Sequence, residues 1–243
     1  MRQRIAIALL LLPGLAIAQQ AELFHPMPLA TLHASEDPTL LALHETPAFT
    51  VIGRVNATTQ AMRAQTPTLA LNLTPELRGE ARLTHSETLR DGSIVWQGHW
   101  HDVRHWDALR EDTDALVRAA NEVVLISHEG RISGSVHVDG QLYGIRPLRS
   151  GGHAVVAVDT ARLPADHPVG WESLATTHAT VTPTEARQAG TGDAQVMVLF
   201  SDKAMSSLAD PVGFALLAIA ETNQGYANSG IAHRLSAAAV LPA

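Results

Sequence analysis

Thirteen histidines stand beside no cysteine and a single lysine, Lys203, in this 243-residue chain. Thiolate catalysis, disulfide scaffolds and Cys-ligated zinc are therefore excluded together, and any metal would need imidazoles and carboxylates. The densest cluster of chemically capable side chains is Trp96-Gln97-Gly98-His99-Trp100-His101, with His105-Trp106 close behind. On a strand His99 and His101 share one face and could hold a metal ion with a third ligand from elsewhere. The same alternation sends Trp96 and Trp100 to the other face. There they either pack on a core or, exposed together with Trp106, offer a recognition surface for a partner or a sugar.

Two His-Glu pairs invite comparison with zinc peptidases, in which a helical His-Glu-x-x-His places both imidazoles on one face and lets the Glu activate water. His44-Glu45 is followed by Thr46, Pro47 and Ala48, and His128-Glu129 by Gly130, Arg131 and Ile132, so neither completes the motif. There is no Gly-x-Ser-x-Gly elbow, P-loop or paired dinucleotide glycine motif. The motifs thus assign no catalytic, cofactor-binding or metal residue.

Charge narrows the partners. Seventeen basic and 24 acidic residues give net −7, without a Lys/Arg cluster, which argues against nucleic acid. Arg2 and Arg4 precede an apolar stretch from Ile5 to Ile17, broken by Pro13-Gly14 and ending in Ala16-Ile17-Ala18 before Gln19. This is the layout of an export signal cleaved after Ala18, too short for a spanning helix. No later stretch is long and apolar enough to suggest a membrane span. The expectation is an acidic protein, secreted or periplasmic, with no membrane association after cleavage.

The elements that must carry these side chains are mostly strands. From Gln19 to about Pro47 the sequence reads as a loosely packed leader around Leu40 to Leu43. Alternation then marks strands over Phe49 to Val55 and Thr68 to Leu73. Asp91-Gly92 joins Ala81 to Leu89 with Ile94 to Trp100 as a hairpin. Val123 to Ser127, Ile132 to Val138, Leu142 to Leu148 and His153 to Val158, separated by Gly130, Asp139-Gly140 and Ser150-Gly151-Gly152, read as a four-stranded antiparallel meander. Trp106 to Ala120 reads as a helix with acidic residues near its start. Thr176 to Gly192 is rich in Thr, Ala, Pro and Gly and reads as a linker. Beyond it, Val196 to Phe200 has the continuous apolar run of a strand buried on both faces. Asp210-Pro211 opens a helix that runs to Gly230, and Ile231 to Val240 could begin a second strand.

The block from Gln195-Val196-Met197-Val198-Leu199-Phe200-Ser201 to Glu221-Thr222-Asn223-Gln224-Gly225-Tyr226-Ala227-Asn228-Ser229-Gly230-Ile231 resembles the opening of the catalytic domain of secreted bacterial metzincin-like zinc metalloproteases, the peptidyl-Asp metalloendopeptidases in particular. Upstream, Gly134 to Val138, Asp139-Gly140-Gln141-Leu142-Tyr143-Gly144-Ile145-Arg146-Pro147, Gly152-His153-Ala154 and Asp159 are similar to that family's β-rich propeptide.

The resemblance implies an α+β chain: a signal peptide at 1–18, a β-rich antiparallel-meander propeptide with linker at 19–192, and at 193–243 the first strand and helix of a truncated zincin-like α/β domain. It implies zinc for full-length relatives and none for this chain, because the family's His-Glu-x-x-His does not occur before Ala243. The implied partner is the chain's own or a related protease catalytic domain. The implied activity of the chain alone is none, as for a fragment or frame-shifted product. The apolar face around Phe214 and Leu217 is expected to be exposed.

Overall fold

The computed structural model describes residues 21–28, 37–102, 115–164 and 193–242. Alternating apolar residues build nine strands in the first two-thirds: β1 (Ala21–Met27), β2 (Phe49–Ala57), β3 (Thr68–Asn72), β4 (Arg78–Thr88), β5 (Ile94–Asp102), β6 (Glu122–His128), β7 (Arg131–Val138), β8 (Gln141–Pro147) and β9 (His153–Val158). The turn dipeptides act as their chemistry predicts. Gly92 and Gly140 sit at φ 85° and 84°, and Asp139 at 50°, the left-handed geometry that tight hairpins require.

From β3 to β9 each strand pairs antiparallel with the next. A meander alone would leave two open edges. Here β9 turns back to pair with β2, β2 pairs with β1, and β1 runs parallel to β3, so the sheet closes into a nine-stranded barrel. Leu69, Leu71, Trp96, Trp100, Val123, Leu125, Val136, Ile145 and Val155 all point inward into one packed core. This closed barrel overturns the expected α+β arrangement of a meander propeptide followed by a zincin-like domain. Satisfying both sheet edges requires β1, which falls in the stretch read as a leader.

The leader reading fails a second time at α1 (Pro38–Glu45). Asp37 Oδ1 accepts from the amides of Thr39 and Leu40, while Oδ2 accepts from Ser150 N–H at 2.7 Å. Leu40 and Leu43 are buried against Leu148, Ala154 and Val156 on the outer barrel wall. Burial alone would raise the Asp37 carboxyl, but the amides of Ser150, Leu40 and Thr39 outweigh it and hold the group below its ordinary value. Of the helix expected over Trp106 to Ala120, only α2 (Ala115–Ala120) lies among the described residues. The signal segment and the linker fall outside them.

The final third contains β10 (Ala194–Phe200), the short α3 (Asp202–Ser207), α4 (Pro211–Asn228) and β11 (Leu235–Pro242). β10 and β11 pair in parallel as a two-stranded sheet. β10 is not buried on both faces, since Met197 and Leu199 are 60% and 53% exposed. The expected exposure of Leu217 is also reversed. Leu216, Leu217 and Ala220 bury against Val124 and Ile126 on the outer face of β6, so the helix seats on the barrel wall. Among the described residues no helix is long and apolar enough to cross a membrane.

Candidate functional site

The tryptophan cluster is core. Trp96 and Trp100 are 0% and 4% exposed inside the barrel, and Trp96 Nε1 donates to the Thr66 carbonyl. Gly79 and Gly98 are glycine because a Cβ would run into the Trp100 and Trp96 rings respectively. The recognition surface proposed for Trp96 and Trp100 is therefore absent, and Trp106 lies outside the described residues.

Strand alternation does put His99 and His101 on the outer wall. His99 stands opposite Arg82 on β4 and Glu122 on β6, and His101 opposite Glu80. Even so, among the described residues no three His, Asp or Glu side chains are arranged to hold a metal ion. The two His-Glu pairs are remote from such a role. His44-Glu45 ends α1, and Glu129 occupies the β6–β7 turn at φ 45°.

The structure concentrates its polar chemistry where α4 meets β6, β7 and β8. His128, at the end of β6, places Nδ1 2.8 Å from Asp210 Oδ1, with the two side chains 13% and 2% exposed. The same Asp210 oxygen accepts from Gly213 N–H at 2.9 Å and caps α4. Asp210 Oδ2 is buried with no hydrogen-bond partner among the described residues. Four residues into the helix, the Phe214 ring lies 5.4 Å from the Arg146 guanidinium carbon, and Arg146 Nη1 donates to the carbonyls of Gly134 and Ile145.

Further along the same seam, Glu221 of α4 acts on Glu122, His137 and Arg146 together. Burial pushes the Glu122 carboxyl up and Glu221 adds to the shift. Burial pulls the His137 imidazole down, against Glu221 and the Glu122 carbonyl. Burial likewise lowers Arg146, again opposed by Glu221. This constellation joins carboxylate, imidazole and guanidinium groups without an arranged nucleophile or metal donor set, so it is suited to holding elements together. A shallow cleft of about 320 Å³ at the barrel rim carries one carboxylate, Asp159. That group is engaged with Ala161 N–H and Arg162.

Sequence reasoning found Asp210 as a cap and His128 as half of a failed motif. Nothing local ties residues 82 positions apart. One available signal was the run Val123-Val124-Leu125-Ile126, which marks a strand covered on its outer face as well as its inner one.

The chain is 29% identical over 230 residues to a protein of Stenotrophomonas maltophilia strain R551-3 named peptidyl-Asp metalloendopeptidase, covering 89% of this chain and 52% of that protein. Its counterpart in strain K279a matches to the same extent. A protein of the same name from Xanthomonas campestris pv. campestris is 28% identical over 150 residues, or 60% of this chain and 35% of its own length. The chain spans about half the length of the two Stenotrophomonas relatives. No family model and no solved structure matches it. The resemblance to metalloendopeptidases thus extends well beyond the C-terminal motif block. The metal that those names imply finds no fitting donor set among the described residues.

Proposed function

We propose that this chain is the non-catalytic, propeptide-bearing part of an exported zinc metalloendopeptidase precursor, with a signal at 1–18 and a propeptide at 19–192. One observation carries the proposal. Similarity to peptidases runs along 89% of the chain, yet the sequence holds no His-Glu-x-x-His and the described residues hold no metal group. A closed barrel with a filled interior suits a folding partner and cleft blocker. With no cysteine available, blocking would rest on shape or on a His or Asp reaching the metal.

The purified 243-residue protein is expected to cleave no peptide substrate. Zinc-dependent cleavage abolished by a chelator would overturn that. Added at micromolar concentration, the same protein is expected to inhibit the mature protease of a Stenotrophomonas relative, and full activity in its presence would sink the propeptide role. Export is tested by sequencing the N-terminus of the secreted product, expected to begin at Gln19. A chain starting at Met1 would refute signal cleavage.

A further inference from the structure

We infer that the outer wall formed by β6, β7 and β8 is a helix-recognition surface whose ligand is α4, read through its Asp-Pro-x-Gly-Phe opening, and that the wall holds residues 194–242 without a covalent link. Only the partner's identity, as part of the protease rather than of the propeptide, rests on the proposed precursor role.

Two positions of the helix opening, Asp210 and Phe214, meet groups on the wall, and Gly213 makes room for the cap. Asp210 is the cap, and its Oδ1 takes both Gly213 N–H and His128. Any residue with a Cβ at position 213 would collide with the Asp210 carboxyl, so glycine there is a condition of the cap that His128 reads. Phe214 stacks under Arg146, a contact of the cation–π kind. Leu216, Leu217 and Ala220 then lie along Val124 and Ile126, the apolar half of a helix-in-groove interface. Outside the helix, Arg149 Nη2 donates to the carbonyls of Met205 and Leu208 at 2.6 and 2.8 Å and fixes the approach from α3. Apolar burial supplies attachment. The buried imidazole–carboxylate pair supplies selectivity, because removing His128 leaves the buried Asp210 carboxylate with Gly213 N–H and no imidazole to offset its lost hydration.

The test inserts a site-specific protease sequence between residues 164 and 193 of the full chain, cuts it, and follows the two pieces by size exclusion with mass spectrometry. Co-elution as a one-to-one complex is expected, and separate elution overturns the inference. His128→Ala is expected to raise the dissociation constant about tenfold or more, with His128→Ala/Asp210→Asn recovering part of the loss, since Asn still caps a helix without a charge. An unchanged constant in His128→Ala removes the recognition role of the pair. Barrel integrity in each variant is read from the near-ultraviolet circular dichroism, to which the enclosed Trp96 and Trp100 contribute. Should the cut pieces aggregate, amide exchange on the uncut protein decides instead: α4 amides protected in the parent and deprotected in His128→Ala support the interface, and equal protection overturns it. Co-elution without inhibition of a relative's protease would sink the precursor role alone, whereas inhibition without co-elution would sink this inference alone.

Discussion

A neutral imidazole can accept a hydrogen bond, and an imidazolium cannot. His153 Nε2 accepts from Ile132 N–H at 3.0 Å within the barrel wall, with its ring edge-on to Phe24. Burial pulls its pKa down to about 4, with the Val55 backbone opposing and Arg131 adding to the fall. Because the folded value lies below the unfolded one near 6.5, the folded state favours the neutral ring. The resulting stability is complete above pH 6.5 and is lost as pH falls from there toward 4. The shift corresponds to a loss on the order of 3 kcal/mol. Urea titrations at pH 7 and pH 4 are expected to show this loss in the parent and to show it much reduced in His153→Gln, whose amide oxygen still accepts from Ile132. An equal acid loss in both would refute the assignment. None of this was legible locally. His153 stood out only within the Gly152-His153-Ala154 resemblance, and its burial depends on Phe24 of β1 and Ile132 of β7 as well as on the pairing of β9 with β2.

Elements were legible where the chain signals to itself over a few residues. Asp91-Gly92 and Asp139-Gly140 fixed two hairpins, and the alternation of Leu71 and Leu73 set which face is inside. The strand β1 was missed because its sequence, Ala-Glu-Leu-Phe-His-Pro-Met, alternates poorly and its partners lie far along the chain. The helix α4 was anticipated from Asp210-Pro211, but its seat was not, since seating depends on β6. Glycine substitutions separate close packing from plain helix propensity. Gly98→Ala is expected to destabilise by roughly 2 kcal/mol or more, because a Cβ there meets the Trp96 ring and the Arg82 carbonyl. Gly225→Ala, within α4 and facing open space, is expected to stabilise by about 0.5–1 kcal/mol. Midpoints from denaturant curves check both, and the same sign for the two would contradict the packing described.

For the whole molecule, the barrel and the strand–helix–strand unit share the buried face of β6, so they are expected to unfold together. Heating followed by tryptophan fluorescence, to which the enclosed Trp96 and Trp100 contribute, and by far-ultraviolet dichroism, which also reports α4, should give one coincident transition. A helical signal lost at lower temperature would show that the unit detaches first. At this scale the sequence pointed to a β-rich chain related to metalloendopeptidases, and the relatives' names bear out that kinship. It did not point to a closed barrel, because closure is a property of strand pairs remote in sequence. That remoteness has a consequence in time. Arg54 on β2 donates to Gly151, at the turn into β9, 97 positions later, and β2 and β9 zip together along their length. A chain emerging from its N-terminus can fold the hairpins from β3 onward in order of appearance, but β2 must wait for β9 with one edge bare. The seam between these two strands is thus the last to seal and bears the largest loop-closure cost. In a newborn molecule it is the place where a foreign strand could enter first.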